Sequence, residues 1–282
     1  AHVTMLQRSP SYVVSRPSHD TFANYVRRVL PTRAAYVTVR WKNVLLSTFW
    51  YWFARRNPEL LKRVIMGRAQ KELGNEFDVN THFNPRYKPW DERMCLAPDS
   101  DLFRALQSGS ANIVTDELET FTPTGINTRA GLQLDADVVV MATGLNLRLL
   151  NGVELIVDGR KVELNKTMAY KGMMLSDVPN LVSAFGYTNA SWTLKCDLTA
   201  EFVCRLLQFM DRHNLRQFTP RPNDPTVASQ PVLDFTSGYV KRGLPWLPTQ
   251  GSKAPWRLRQ NYLRDLMMLR FGKLKDGVLE FE

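Results

Sequence analysis

Apolar and polar positions follow two different rhythms along this chain. Residues 2–7, HVTMLQ, are β-branched and apolar without a helical period, and Arg8-Ser9-Pro10 closes the run, which predicts a strand. From about Asp20 to Lys71, apolar and basic residues interleave at helical spacing, as in Phe22, Tyr25, Val26 and Val29 and again in Leu60, Leu61, Val64 and Ile65. Pro31 and Pro58 supply starts or breaks, so two or three helices are predicted. Residues 43–54 are uncharged and rich in aromatics. They fall well short of the ~20 apolar residues a membrane span needs, which predicts a buried helix, with a helix lying on a membrane surface as the alternative.

Two prolines and mixed charge make residues 82–93 a loop, and residues 101–108 a short helix is expected to follow. A run of strands comes next, over 111–114, 117–121, 125–128 and 137–142. Val138-Val139-Val140-Met141-Ala142 is continuously apolar, as in a strand buried on both faces of a parallel sheet. Residues 180–185 predict another buried strand, running into Gly186 and the polar turn Tyr187-Thr188-Asn189. A helix over 191–212 carries Leu194, Leu198, Phe202, Leu206 and Met210 on one stripe. Beyond Pro220 the chain is rich in proline and aromatics and is expected to form a covering tail. Strands alternating with helices predict an α/β fold, whose ligands sit at the carboxyl ends of the strands. That points to three places, after Leu6, after Met141 and after Phe185.

Charge sharpens this picture. The chain has 37 Lys or Arg against 27 Asp or Glu, and residues 1–90 hold fifteen of the former and five of the latter, so the entire basic excess lies there. An anionic cofactor, a membrane surface or nucleic acid would each match it, as would a solvated helical surface, and no nucleic-acid-binding motif is visible. The three cysteines, Cys95, Cys196 and Cys204, show neither a CxxC pair nor metal-ligand spacing, and suggest buried thiols in a reducing cytosol.

The strand ends carry the candidate chemistry. Arg8-Ser9 offers a bidentate cation and a hydroxyl donor, which suits the 2′-phosphate of NADP, although an arginine also caps ordinary strand ends. Ala142-Thr143-Gly144 is small enough for close approach of backbone to a ligand or to another domain. The segment 186–191 opens a helix whose free N–H groups suit an anion, and Asn189 or Ser191 could equally be its cap. Arg93 follows Trp90-Asp91-Glu92 and could simply pair with its acidic neighbours.

In their order, these residues match a family. Gln7-Arg8-Ser9-Pro10, Pro85-Arg86-Tyr87, Glu92-Arg93, Val140-Met141-Ala142-Thr143-Gly144 and Val178-Pro179-Asn180-Leu181 ahead of Gly186 resemble the class B flavin-containing monooxygenases of Baeyer–Villiger type. The stretches HVTMLQRSP, MAYKGMM, GYTNASWTLK and APWRLRQNY resemble their mycobacterial ethionamide-activating branch, and the likeness runs from residue 1 to the end.

The resemblance implies an α/β flavoprotein with two dinucleotide-binding, Rossmann-like domains built on parallel sheets. Residues 1–144 would be the later part of the NADPH domain, with a helical insert at about 12–80, and residues 145–282 the returning part of the FAD domain plus the tail. It implies FAD and NADPH as cofactors, O2 as co-substrate, and insertion of one oxygen atom into ketones, or onto sulfides and thioamides, through a C4a-peroxyflavin. Arg93 would be the catalytic arginine beside the flavin, Arg8 and Ser9 the 2′-phosphate contacts, and Asn189, Ser191 and Trp192 neighbours of the flavin ring. Glu92 stands where many members carry a lysine, so NADPH selectivity would rest more heavily on Arg8. No GxGxxG occurs in the 282 residues. The chain is therefore expected to be an N-terminally truncated part of a longer protein, inactive and poor at binding flavin by itself. A basic module on a membrane surface through residues 1–90, without catalysis, is the competing expectation.

Overall fold

Prolines and caps set the limits of the first helices in the computed structural model, which describes residues 1–92 and 94–282. The described chain divides into two compact units, Ala1–Thr143 and Gly144–Glu282. The first opens with strands β1 (Val3–Gln7) and β2 (Val13–Arg16). Asp20 caps α1 (Thr21–Val29), its carboxylate accepting from the Ala23 N–H at 3.0 Å. Pro31 stands before α2 (Thr32–Arg56), and Pro58 opens α3 (Pro58–Leu73), where a missing N–H costs nothing. Gly74, at φ +86°, ends α3. A short α4 (Val79–Phe83) leads to β3 (Cys95–Pro98), α5 (Asp101–Gln107) and β4 (Ala111–Thr115).

The helices expected between Asp20 and Lys71 are thus three, and residues 13–16, inside the expected helical insert, form a strand instead. β1 pairs in parallel with β4, Gln7 opposite Thr115, and β2 pairs in parallel with β3. A meander of β5 (Leu118–Thr122), β6 (Gly125–Thr128) and β7 (Gln133–Asp135) follows, antiparallel throughout. One core cluster joins Ala69, Val79, Phe83, Phe103 and Ile113, and another joins Tyr12, Ala54, Leu61 and Ile65.

In the second unit, the hairpin β8–β9 (Ile156–Val157, Arg160–Lys161) precedes the pair β10 (Ala169–Tyr170) and β11 (Met174–Leu175). Helix α6 (Trp192–His213) buries the whole predicted stripe of Leu194, Leu198, Phe202, Leu206 and Met210, and each such side chain contributes roughly 1.5–3 kcal/mol on burial. The region expected to be a covering tail has structure of its own. After β12 (Phe218–Pro220), it contains β13 (Ser229–Pro231), α7 (Gly238–Gly243), β14 (Thr249–Gly251), α8 (Tyr262–Leu266) and β15 (Leu279–Phe281). β12 pairs with β15, and β13 with β14, both antiparallel.

Four expectations fail. Residues 137–142 form no strand, and Val138 and Val140 are 78% and 81% exposed. A continuous apolar run is buried on both faces only where strands flank it, and no ladder forms here among the described residues. Residues 180–185 form no strand either: Asn180 sits in a turn at φ +54°, and the Asn180 and Ser183 N–H groups donate to the Phe218 and Met173 carbonyls. The segment 43–54 is helical but not buried as a whole, since only Val44 and Ala54 are. Uniform apolarity marks no inner face, and α1 and α3 each meet only part of this long helix. Finally, Cys95 and Cys204 are exposed rather than buried.

Candidate functional site

Two groups of predicted residues lie in different units. In the first, β1 and β4 end side by side, because parallel pairing brings Gln7 level with Thr115. The Gln7 amide donates to Thr115 Oγ1 and to the His82 carbonyl, both at 2.8 Å, and His82 Nδ1 lies 2.9 Å from the same threonine oxygen. This knot fixes the strand end. Arg8 and Ser9 follow it, both exposed, and Arg8 makes no ion pair among the described residues. An unneutralised guanidinium at the carboxyl end of a parallel strand fits a phosphate.

Arg93, the candidate catalytic residue, lies outside the described residues. The loop before it is held at three points, by α2, by α3 and by the chain ahead of β2. The Tyr12 hydroxyl donates to the Tyr87 carbonyl at 2.7 Å, Lys62 Nζ to the Pro85 carbonyl at 2.9 Å, and Arg55 to Asp91 at 2.7 Å. Burial pushes the Tyr12 hydroxyl well above its ordinary pKa, so it stays a donor. Trp90 sits at φ +71°, a left-handed conformation costly for a bulky residue, and its ring packs edge-on against Tyr51 at 5.6 Å. Ala142 and Thr143 close the first unit as exposed, unpaired chain, and Gly144 opens the second at φ +116°.

In the second unit the turn 186–192 leads into α6. Ser191 occupies the N-cap position, yet its hydroxyl makes no cap bond and lies 2.8 Å from Thr193 Oγ1 instead. No acidic residue stands in the first turn. The N–H groups of a 22-residue helix therefore begin uncapped by a side chain, with the positive end of the dipole behind them. Gln260 grips the turn, its side-chain oxygen accepting from the Thr188 N–H at 3.0 Å and its carbonyl from the Asn189 amide at 2.9 Å. Asn189 Oδ1 is buried and has no hydrogen-bond partner. Such an orphaned acceptor is costly, and it fits a donor on a bound heteroaromatic ring. A Cβ on Gly186 would fall 2.0 Å from Trp192 Cγ, and the Phe185 and Trp192 rings lie 5.2 Å apart, so the glycine lets the indole lie against the turn.

Two Lys–Asp–Tyr groups in the second unit escaped sequence reasoning, although their lysines and tyrosines fall inside the stretches that carry the resemblance. Lys195 and the Tyr187 hydroxyl each donate to Asp265 Oδ2 at 2.8 Å. The Tyr170 hydroxyl donates to Asp276 Oδ2 at 2.7 Å, with Lys171 Nζ at 3.0 Å. Burial, reinforced by the carboxylates, raises both tyrosine pKa values, so both remain protonated donors. Burial alone would raise the Asp276 pKa, but Tyr170, Lys171 and the Leu279 N–H outweigh it and hold the group below its ordinary value. No spacing rule signals these groups, because each aspartate stands 70 to 106 residues from its partners.

No family model matches the chain. It is 49% identical over 280 residues to the FAD-containing monooxygenase EthA of Mycobacterium tuberculosis, a match covering 99% of this chain and 57% of that protein. The protein of the same name from Mycolicibacterium smegmatis is 48% identical over 281 residues, again with 57% of its length covered. The probable FAD-binding monooxygenase AlmA of Acinetobacter baylyi is 42% identical over 282 residues, with 56% covered. The chain thus spans somewhat over half the length of these relatives. Among solved structures, OTEMO with FAD bound superimposes with a TM-score of 0.60 at 13% identity, over 100% of this chain and 62% of that one. Oxidised steroid monooxygenase bound to NADP gives 0.58 at 16% identity, over 78% and 50%. The last two are likenesses of fold, and they identify the α/β architecture as that of the flavin monooxygenases.

Proposed function

From a chain that is a relative of the FAD-containing monooxygenases, we propose a part in FAD- and NADPH-dependent transfer of one oxygen atom from O2. The acceptors would be ketones, or the sulfur of sulfides and thioamides. The observation that carries this reading is the turn 186–192, where the start of α6 is uncapped by its side chains and Asn189 Oδ1 is buried without a donor. That turn lies within a chain 49% identical to an FAD-containing monooxygenase.

When bound, the flavin would take hydride from the nicotinamide and activate O2. This chain's residues would do the rest. Arg8 and Ser9 would hold the 2′-phosphate of NADPH and select it over NADH. Ala142, Thr143 and Gly144 would let backbone approach a cofactor closely. Asn189 Oδ1 would accept from a flavin ring donor, the first N–H groups of α6 would face its polar edge, and Ser191 and Trp192 would border the ring. Arg93 would present a guanidinium to the negative oxygen that develops during transfer, which is worth on the order of 10²–10³ in rate. Residues 1–144 would then belong to the NADPH domain and residues 145–282 to the FAD domain.

A chimera tests this reading directly. The chain replaces the matching 57% of the Mycobacterium tuberculosis relative. The purified chimera is expected to be yellow, to consume NADPH in preference to NADH, and to convert a sulfide to its sulfoxide. A folded chimera that holds FAD yet oxidises no ketone, sulfide or thioamide would overturn the proposal.

A further inference from the structure

Exposed aromatic and aliphatic side chains recur on two neighbouring helices of the first unit. On α1, Phe22, Tyr25 and Val29 recur at helical spacing and are 45%, 65% and 56% exposed. On α2, Val37, Trp41, Leu45, Phe49 and Trp52 form one stripe, and all are exposed. The inner seam of the hairpin is made of small residues instead, with Ala23, Val26, Ala35 and Val44 buried. The α2 stripe runs about 22 Å at 1.5 Å per residue.

Charge on the same hairpin has a single sign. Residues 21–56 contain seven Lys or Arg and not one Asp or Glu. Lys42 and Arg55 reach Asp20 and Asp91 outside it, while Arg27, Arg28 and Arg33 are exposed. Cations also sit over the aromatic rings, Arg56 over Trp52 at 5.6 Å, Arg40 over Tyr36 at 5.9 Å and Lys42 over Phe22 at 5.1 Å. Lys42 thereby links the α1 and α2 surfaces. Rings with an apolar body, and long cations whose heads reach outward, are the side chains that settle at the boundary between headgroups and acyl chains. A continuous apolar face of this size is uncommon on a monomer surface left to water. No helix among the described residues is long and apolar enough to cross a membrane.

We propose that the α1–α2 hairpin docks flat on a bilayer surface that contains anionic lipid, with Trp41, Leu45 and Trp52 at the acyl boundary and Arg27, Arg28 and Arg33 on lipid phosphates. The inference does not depend on the oxygenation chemistry, because none of these residues belongs to the proposed cofactor sites.

Co-sedimentation of the full chain with two kinds of vesicle tests it, phosphatidylcholine alone and phosphatidylcholine with phosphatidylglycerol. Binding is expected only to the second, with a blue shift of tryptophan emission and loss at high salt. The variant Arg27→Glu/Arg28→Glu/Arg33→Glu should bind about tenfold or more weakly, and Trp41→Ser/Trp52→Ser should lose the apolar contribution and bind about tenfold more weakly. All five positions are exposed, and an unchanged far-ultraviolet circular dichroism spectrum will show that each variant folds. Equal binding to both vesicle types, no binding to either, undiminished binding by both folded variants, or displacement from vesicles by an oligonucleotide would each overturn the proposal.

Discussion

Arg8 carries the nucleotide preference in this account. It stands exposed beyond a strand end that Gln7, His82 and Thr115 tie down. Its removal should cost one charge-assisted bidentate contact, about 1.5–3 kcal/mol, or roughly ten- to a hundredfold. Titration of Arg8→Ala with NADP+ and NAD+ should show that loss for NADP+ alone; equal weakening of both would exclude a 2′-phosphate role. Gly186 offers a second test. A methyl group there meets the Trp192 ring, so Gly186→Ala should lower stability by about 1–3 kcal/mol and shift tryptophan emission. At this scale, the strand end was legible. The β-branched run closed by Arg8-Ser9-Pro10 predicted the strand that the structure shows over Val3–Gln7, because strand period and a proline stop are short-range signals. The Gln7–His82–Thr115 knot was not legible, since its members lie 75 and 108 residues from Gln7 and only parallel pairing unites them.

Helix α6 was legible for the opposite reason. Five apolar residues at i, i+4 spacing define a buried face without any knowledge of what covers it. Residues 137–142 misled because a uniformly apolar run reports a potential for burial and not the presence of neighbours. The two Lys–Asp–Tyr groups hold α6 and the chain before it to the carboxy-terminal region. Lys195→Met leaves Asp265 buried without its cation and should cost about 3–5 kcal/mol, while Lys195→Met/Asp265→Leu should cost less than the single change. Chemical denaturation measures both. Asp276 adds a pH signature. Its folded pKa lies below the unfolded one, so its stabilisation is complete above the unfolded value and is lost as pH falls through the folded value. The stability gap between the parent and Asp276→Asn should therefore be widest near neutrality and shrink in acid below the ordinary carboxylate range. A gap constant with pH would contradict that sign.

On the scale of the whole molecule, two units carry separate parts of one proposed chemistry. The basic excess confined to residues 1–90 resolves into an exposed arginine at a strand end and a hairpin without acidic residues. The likeness to FAD-containing monooxygenases was legible because the order of several moderate motifs is far more specific than any one of them, and the 49% identity over 280 residues bears that likeness out. Arg93 stands at the centre of the account, after a loop that Tyr12, Arg55 and Lys62 clamp. The most direct measurement is the ratio of sulfoxide formed to NADPH consumed by the chimera, before and after Arg93→Ala, with bound FAD quantified in both. The account predicts full FAD in each protein and a fall of about 10²–10³ in the rate of sulfoxide formation on substitution. An FAD-loaded Arg93→Ala chimera that forms sulfoxide at the parental rate and ratio would contradict it.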